Sequence, residues 1–231
     1  MSVRKAIEWV VNDMPEPFKS QVFNPGLHDI LATAKSFGCL QVFANKGERI
    51  FLTWLCRRHL TQREYERALR AAWTGVEKPS RTFGRNTPML FKDCVPARMS
   101  SKGYAKLPES ITVYRGVSGK GKPRGYSWTT DIRVATFFAT RFECFGEARL
   151  YQATVAKSDV VMFVSDRSEA EVVVVPENVK SMKRIPLGEV ERAASKLLKE
   201  REHAAMMRSC DRAQKRNAAV SQDGCVDVGK P

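Results

Sequence analysis

Residues 165–176 read Ser-Asp-Arg-Ser-Glu-Ala-Glu-Val-Val-Val-Val-Pro. Four consecutive valines, entered from polar residues and ended by Pro176, predict a buried β-strand. Glu169 and Glu171 flank a single alanine just ahead of that strand. In extended backbone alternate side chains point the same way, so both carboxylates are expected to face one cleft, with Val172 to Val175 anchoring the strand beneath them. Two carboxylates at one centre can divide the work, one stabilising charge and the other moving a proton. A solvated Glu-x-Glu at a strand entrance is the plainer reading of the same residues.

Upstream of this stretch, the hydrophobic period is that of short strands. Strands are predicted at 111–114, 126–129, 149–155, 160–164 and 171–175, with one helix from Thr130 or Asp131 to about Arg141. This is an α+β pattern, several short strands with a helix packed on them. Before it, the first hundred residues read as helices. Ile7, Val10, Val11 and Met14 make one apolar stripe that Pro15 and Pro17 end, and a second helix is expected near Leu27. A third spans about 48–59, and Thr61-x-x-Glu64 is a capping-box pattern opening a fourth that stops at Thr74-Gly75. Arg63, Arg67 and Arg70 are spaced to share one face of that helix, as a solvated face or as a phosphate- or partner-binding one. Residues 75–106 look like a loop-heavy connection, 190–220 like one charged helix, and 221–231 like a disordered tail.

Two motifs need separating. Gly116-Val-Ser-Gly-Lys-Gly121-Lys122-Pro123 almost spells a P-loop, but Pro123 supplies neither a hydroxyl for magnesium nor an N–H for phosphate. The segment reads better as a flexible basic hairpin. Val113-Tyr114-Arg115-Gly116, Ser127-Trp128-Thr129-Thr130-Asp131 and the Glu169-Ala170-Glu171 stretch form an ordered set instead. Together they resemble the arginine, Ser-Thr-Ser and Glu-x-Glu motifs of the mono-ADP-ribosyltransferases of the cholera-toxin-like clade. The resemblance covers about residues 108–186, with Trp128 standing where the motif has Thr and a short Gly/Lys-rich turn between Arg115 and Ser127.

The resemblance implies a small mixed β core of ADP-ribosyltransferase type over 107–188. A helical basic lobe over 1–106 would precede it, and a charged helix with a tail over 189–231 would follow. It implies a transferase that breaks the nicotinamide–ribose bond of NAD, used as co-substrate, through an oxocarbenium-like state. Arg115 would hold the diphosphate, with Gly116, Ser127 and Thr129 completing the NAD-binding set. Glu171 would take the ribose 2′-hydroxyl and steady the developing charge. Glu169 would deprotonate the acceptor, an arginine of a target protein, with Arg167 and Ser168 on the loop before it as acceptor contacts. Trp128 is read as core, with stacking on nicotinamide as the alternative. The rival functions are a non-catalytic fold of this type that binds nucleic acid or an acidic partner, and an NAD glycohydrolase with water as acceptor.

Composition sets the wider limits. The chain has 231 residues and 39 Lys plus Arg against 25 Asp plus Glu, a net charge of +14. Residues 46–106 hold +9 of it, which predicts attraction to a polyanion, either nucleic acid or an acidic protein face. No apolar run reaches the roughly 20 residues of a membrane span, and no membrane partner is expected. The start Met-Ser-Val-Arg-Lys shows no apolar signal region. Cysteines at 39, 56, 94, 144, 210 and 225 lack Cys-x-x-Cys pairing, and the three histidines lie far apart. Reduced thiols in a cytoplasmic protein without a metal are the expectation.

Overall fold

The computed structural model describes residues 3–76, 83–141, 146–165 and 169–187. The charged helix expected over 190–220, the tail, Arg167 and Ser168 lie outside the described residues.

The class is α+β, and the sheet has six antiparallel strands, where the resemblance implies a mixed core. The strands are β1 (Ser110–Ser118), β2 (Ser127–Thr129), β3 (Ala148–Ala156), β4 (Val160–Val164), β5 (Glu171–Val174) and β6 (Lys180–Ile185), in the order β4-β5-β2-β1-β3-β6. The sixth escapes sequence reading because Lys180, Ser181, Lys183 and Arg184 are exposed and show no apolar alternation. The chain folds as two compact units. One holds residues up to Val113, Arg124–Thr130 and Ala153–Met182; the other holds Tyr114–Pro123, Asp131–Gln152 and the described residues from Lys183 on.

In the first unit the helices are α1 (Val3–Glu8), α2 (Glu16–Val22), α3 (Phe37–Phe43), α4 (Arg49–Leu55), α5 (Gln62–Gly75), α6 (Pro88–Phe91) and α7 (Pro96–Met99). A π-helical turn over Trp9–Asp13 follows α1, closed by Met14 N–H donating to the Trp9 carbonyl at 2.8 Å. Its wider turn brings Ala6, Val10 and Met14 inward at a spacing of four, leaving Ile7 and Val11 half-buried. The expected stripe is thus rotated. Pro15 ends the first helix and also caps α2, whose Pro17 sits in the first turn, where a missing N–H costs nothing. The segment expected to start near Leu27 is a 3-10 helix over Pro25–Thr33.

The capping box is present. Glu64 N–H donates to Thr61 Oγ1 at 3.3 Å, and Thr61 N–H donates to the Glu64 carboxylate at 2.7 Å. From there α5 buries Tyr65, Glu66, Ala68, Leu69, Ala72 and Trp73. Glu66 accepts from Arg98 Nε at 2.5 Å, Arg98 Nη2 at 2.7 Å and Val95 N–H at 2.9 Å, which ties α5 to α7. Leu40, Ile50, Leu52, Leu69 and Trp73 share their core with Met162 and Val164 of β4 and Val173 of β5. The outer edge of β4 is covered rather than left open. Phe163 N–H donates to Ser100 Oγ at 2.8 Å, Ser101 N–H to the Phe163 carbonyl at 2.7 Å, and Ser165 N–H to Ser101 Oγ at 3.1 Å.

In the second unit, α8 (Ile132–Thr140) packs against β1. A Cβ at Gly116 would lie 1.8 Å from the Ala135 carbonyl oxygen and 2.5 Å from Ala139 N, so only glycine lets strand and helix backbones meet here. The Gly/Lys-rich turn after β1 is fastened rather than flexible. Arg149 donates to the Gly119 carbonyl and, at 2.9 Å, to the Gly121 carbonyl, while Gly119 N–H donates to the Glu147 carbonyl at 3.0 Å. Past Pro123 the chain enters β2 and forms no helix, in keeping with the missing P-loop chemistry. Among the described residues Cys39, Cys56 and Cys94 are free thiols, no group of His, Cys, Asp and Glu could hold a metal, and no helix is long and apolar enough to cross a membrane.

Candidate active site

Thr129, Glu169 and Glu171 meet in the first unit, where β5 lies between β2 and β4. The register sets Thr129 opposite Glu171 and Ser127 opposite Val173, with Trp128 opposite Val172. On the other side Val164 is opposite Glu171 and Met162 opposite Val173. Directly opposed residues share a sheet face. Ser127, Thr129 and Glu171 therefore stand on the face of Met162, Val164 and Val173, all three of which belong to the helical core. Trp128 takes the other face, 2% exposed, its indole N–H donating to the Gly125 carbonyl at 2.8 Å. It is core.

Glu171 opens β5 and is 9% exposed, a carboxylate almost enclosed at the end of a central strand. Val172, Val173 and Val174, which follow it along the strand, are fully buried. Glu169 is half-buried and lies outside the strand. Here the expectation of one extended run fails. Ala170 has φ 44°, in the left-handed region, so the period of two that relates side chains along a strand does not reach back from Glu171 to Glu169. The turn is held from β2: Thr129 Oγ1 donates to the Glu169 carbonyl at 2.5 Å, and Thr130 N–H donates to the Ala170 carbonyl at 3.1 Å. The end of β2 thus fixes both glutamates, one by cross-strand pairing and one through its backbone.

Arg70 shares a helical stripe with Arg63 and Arg67 by spacing, yet its surroundings differ from theirs. Arg63 and Arg67 are exposed, whereas Arg70 is half-buried and donates to Ser101 Oγ at 3.0 Å. Ser101 also holds Ser165, the residue after Val164, and Val164 is the partner of Glu171. This places a guanidinium at the same end of the sheet as Glu171. Spacing alone could mark Arg70 as basic, but only the long-range pairing of α7 with β4 reveals where it reaches.

Arg115 and Gly116 lie on the part of β1 that belongs to the second unit, Arg115 half-buried. What approaches Gly116 closely is the α8 backbone. Asp131 caps α8, its carboxylate accepting from Arg133 N–H at 2.9 Å and from the guanidinium at 3.0 and 2.7 Å. The hydrogen bond from the Arg133 side chain holds the Asp131 carboxyl below its usual value. Comparison of the chain with protein-family models, curated proteins and solved structures finds no match.

Proposed function

We propose that this protein transfers ADP-ribose from NAD to an arginine side chain of a target protein, releasing nicotinamide. The observation that carries the reading is Glu171, a carboxylate only 9% exposed and paired across the strands with Thr129, whose hydroxyl holds the Glu169 backbone. NAD supplies the bond that breaks, between nicotinamide and C1′ of the ribose, and the new bond joins C1′ to a nitrogen of the acceptor guanidinium. An enclosed carboxylate acts on developing positive charge far more strongly than one in water, because less solvent screens it. Glu171 is assigned that role, together with the hydrogen bond from the ribose 2′-hydroxyl. Glu169, closer to solvent, is assigned the proton that the acceptor nitrogen gives up. Thr129 is a positioning residue, since it acts through Glu169. The diphosphate role of Arg115, which rests on a planar guanidinium fork suited to phosphate oxygens, is a separate assignment with its own test by Arg115→Lys.

The test is nicotinamide release by the purified protein, with and without a small guanidino acceptor. Release that rises with acceptor, and acceptor mass that rises by one ADP-ribose, is the expected outcome. Release that ignores acceptor means water is the acceptor and the protein is an NAD glycohydrolase. No release in either condition leaves a non-catalytic binding fold.

A further inference from the structure

A cleft of about 710 Å3 opens among the helices of the first unit, well away in sequence from the glutamates. Trp9, Phe18 and Trp54 line it with Arg57, Arg58 and Asp13. Rings of this size normally belong to a core. Here Phe18 is 40% exposed, and Trp9 and Trp54 are half-buried.

The rings are braced from behind. Phe18 meets Phe51 edge-on at 5.9 Å, Phe51 stacks on Trp54 at 6.1 Å, and Trp54 meets Phe83 edge-on at 5.5 Å. Trp9 stacks on His59 at 5.1 Å and carries the Arg58 guanidinium 5.2 Å from its ring centroid. Phe18 and Trp54 are therefore the platforms, and Trp9 is a bracket that holds Arg58 in place. Arg57 is fixed too, lying 4.9 Å over Tyr65 and donating to the Lys92 carbonyl at 2.8 Å and to the Asp93 carboxylate at 3.3 Å. Rigid aromatic platforms beside fixed guanidinium groups suit a ligand with flat faces and negative charges between them.

We infer that this cleft binds single-stranded nucleic acid, with bases on Phe18 and Trp54 and backbone phosphate on the exposed Arg58, while Arg57, engaged with the Met89 and Lys92 carbonyls and with Asp93, shapes the wall beside it. Every base has a π-face, so stacking needs no particular sequence, and the phosphates are steered by the +9 balance of residues 46–106. Asp13 is the one carboxylate of the lining, and it has the chemistry to accept from a base's exocyclic amino group. A quaternary or guanidinium cation is the weaker fit, because two arginines line the cleft and Arg58 already lies over Trp9. The inference is independent of the transferase reading.

The test uses the full chain with fluorescein-labelled oligouridylate and oligodeoxythymidylate about 12 nucleotides long, in the range of known single-strand site sizes. Binding is expected for one or both, with intrinsic tryptophan emission quenched, since Trp73 and Trp128 are buried and Trp9 and Trp54 are the accessible pair. Phe18→Ala and Arg58→Glu change side chains at the surface, and an unaltered Tm shows that each variant compared is folded. Each is expected to weaken binding at least ~5-fold, and Arg58→Glu to flatten the salt dependence as well. Binding by these variants equal to that of the unaltered protein overturns the site, because the polyanion is then held on another basic surface. Absence of binding at low salt overturns it also, as does cleft quenching by an acidic peptide but by neither oligonucleotide.

Discussion

Glu171→Gln keeps the shape of a nearly enclosed side chain and removes its charge. Nicotinamide release is expected to fall by about 2 to 4 orders of magnitude, as for loss of an electrostatic or acid–base group, and a rate near that of the unaltered protein would falsify the assignment. Glu169→Ala should depress transfer to the acceptor much more than hydrolysis by water, because it is assigned the acceptor's proton. Equal losses would make the two carboxylates one unit. Ala170, held at φ 44° between them, supplies a test of its own. Glycine adopts that conformation freely but has more freedom to lose on folding, so Ala170→Gly should shift stability by no more than about 1 kcal/mol. Ala170→Val places a β-branched residue where it is a conformational outlier, and should lower both Tm and turnover. A valine variant as stable as the glycine one would show that the turn relaxes at no cost. The left-handed turn also explains why sequence alone misplaces the pair. Glu-Ala-Glu followed by valines reads as one extended run, and nothing local to alanine announces a positive φ. Both glutamates and Thr129 are legible as residue types; their arrangement is set by bonds from β2, some forty residues away in sequence.

At the scale of elements, local signals translate well where local chemistry decides. The Thr61–Glu64 box starts α5 and β4 occupies the span its valines suggest, because caps and apolar runs act within a few residues. The π turn and the exposed β6 answer to packing elsewhere, and sequence carries no local mark of them, whereas Pro17 in the first turn of α2 is a start signal as much as a stop. Contact between β1 and α8 yields a sharp expectation. Gly116→Ala puts a methyl carbon 1.8 Å from a backbone oxygen, so helix and strand must part, costing roughly 1–3 kcal/mol or more. Thermal unfolding measures this, and an unchanged Tm would show that α8 can slide. The tie between α5 and α7 predicts a pH dependence. Burial works to raise the Glu66 carboxyl, but bonds from Arg98, Val95 N–H and Gln62 outweigh it and hold it below its ordinary value of 4.5. A carboxyl depressed in the folded state stabilises the fold above its unfolded value, and that stabilisation goes as pH falls through the folded value. Glu66→Gln should cost about 1–3 kcal/mol at neutral pH, kept to this range because Arg98 is 39% exposed and stays hydrated. The variant should also lose Tm less steeply below pH 4.5 than the unaltered protein. Parallel acid slopes would assign the acid sensitivity to other carboxylates.

Charge is the property of the whole molecule. The +14 balance draws polyanions over about a Debye length, roughly 10 Å at 0.1 M salt, so docking of an acidic target should weaken steeply as salt rises. Reversal of the exposed pair, Arg63→Glu with Arg67→Glu, should lower modification of such a target at low salt and leave NAD hydrolysis intact. Arg70 belongs outside that experiment, since it is bonded to Ser101 near Glu171 and its reversal would mix docking with the site. Modification indifferent to both salt and reversal would make this face ordinary solvated surface. The shared core of the first unit bears on the order in which the chain is made. Leu40, Ile50, Leu69 and Trp73 pack with Met162, Val164 and Val173, so the helices leave the ribosome before the strands that cover them exist. At roughly 5–20 residues per second, the ~75 residues after Met99 take about 4–15 s to emerge, a window in which the part of the helical core that β4 and β5 will cover faces water or a chaperone.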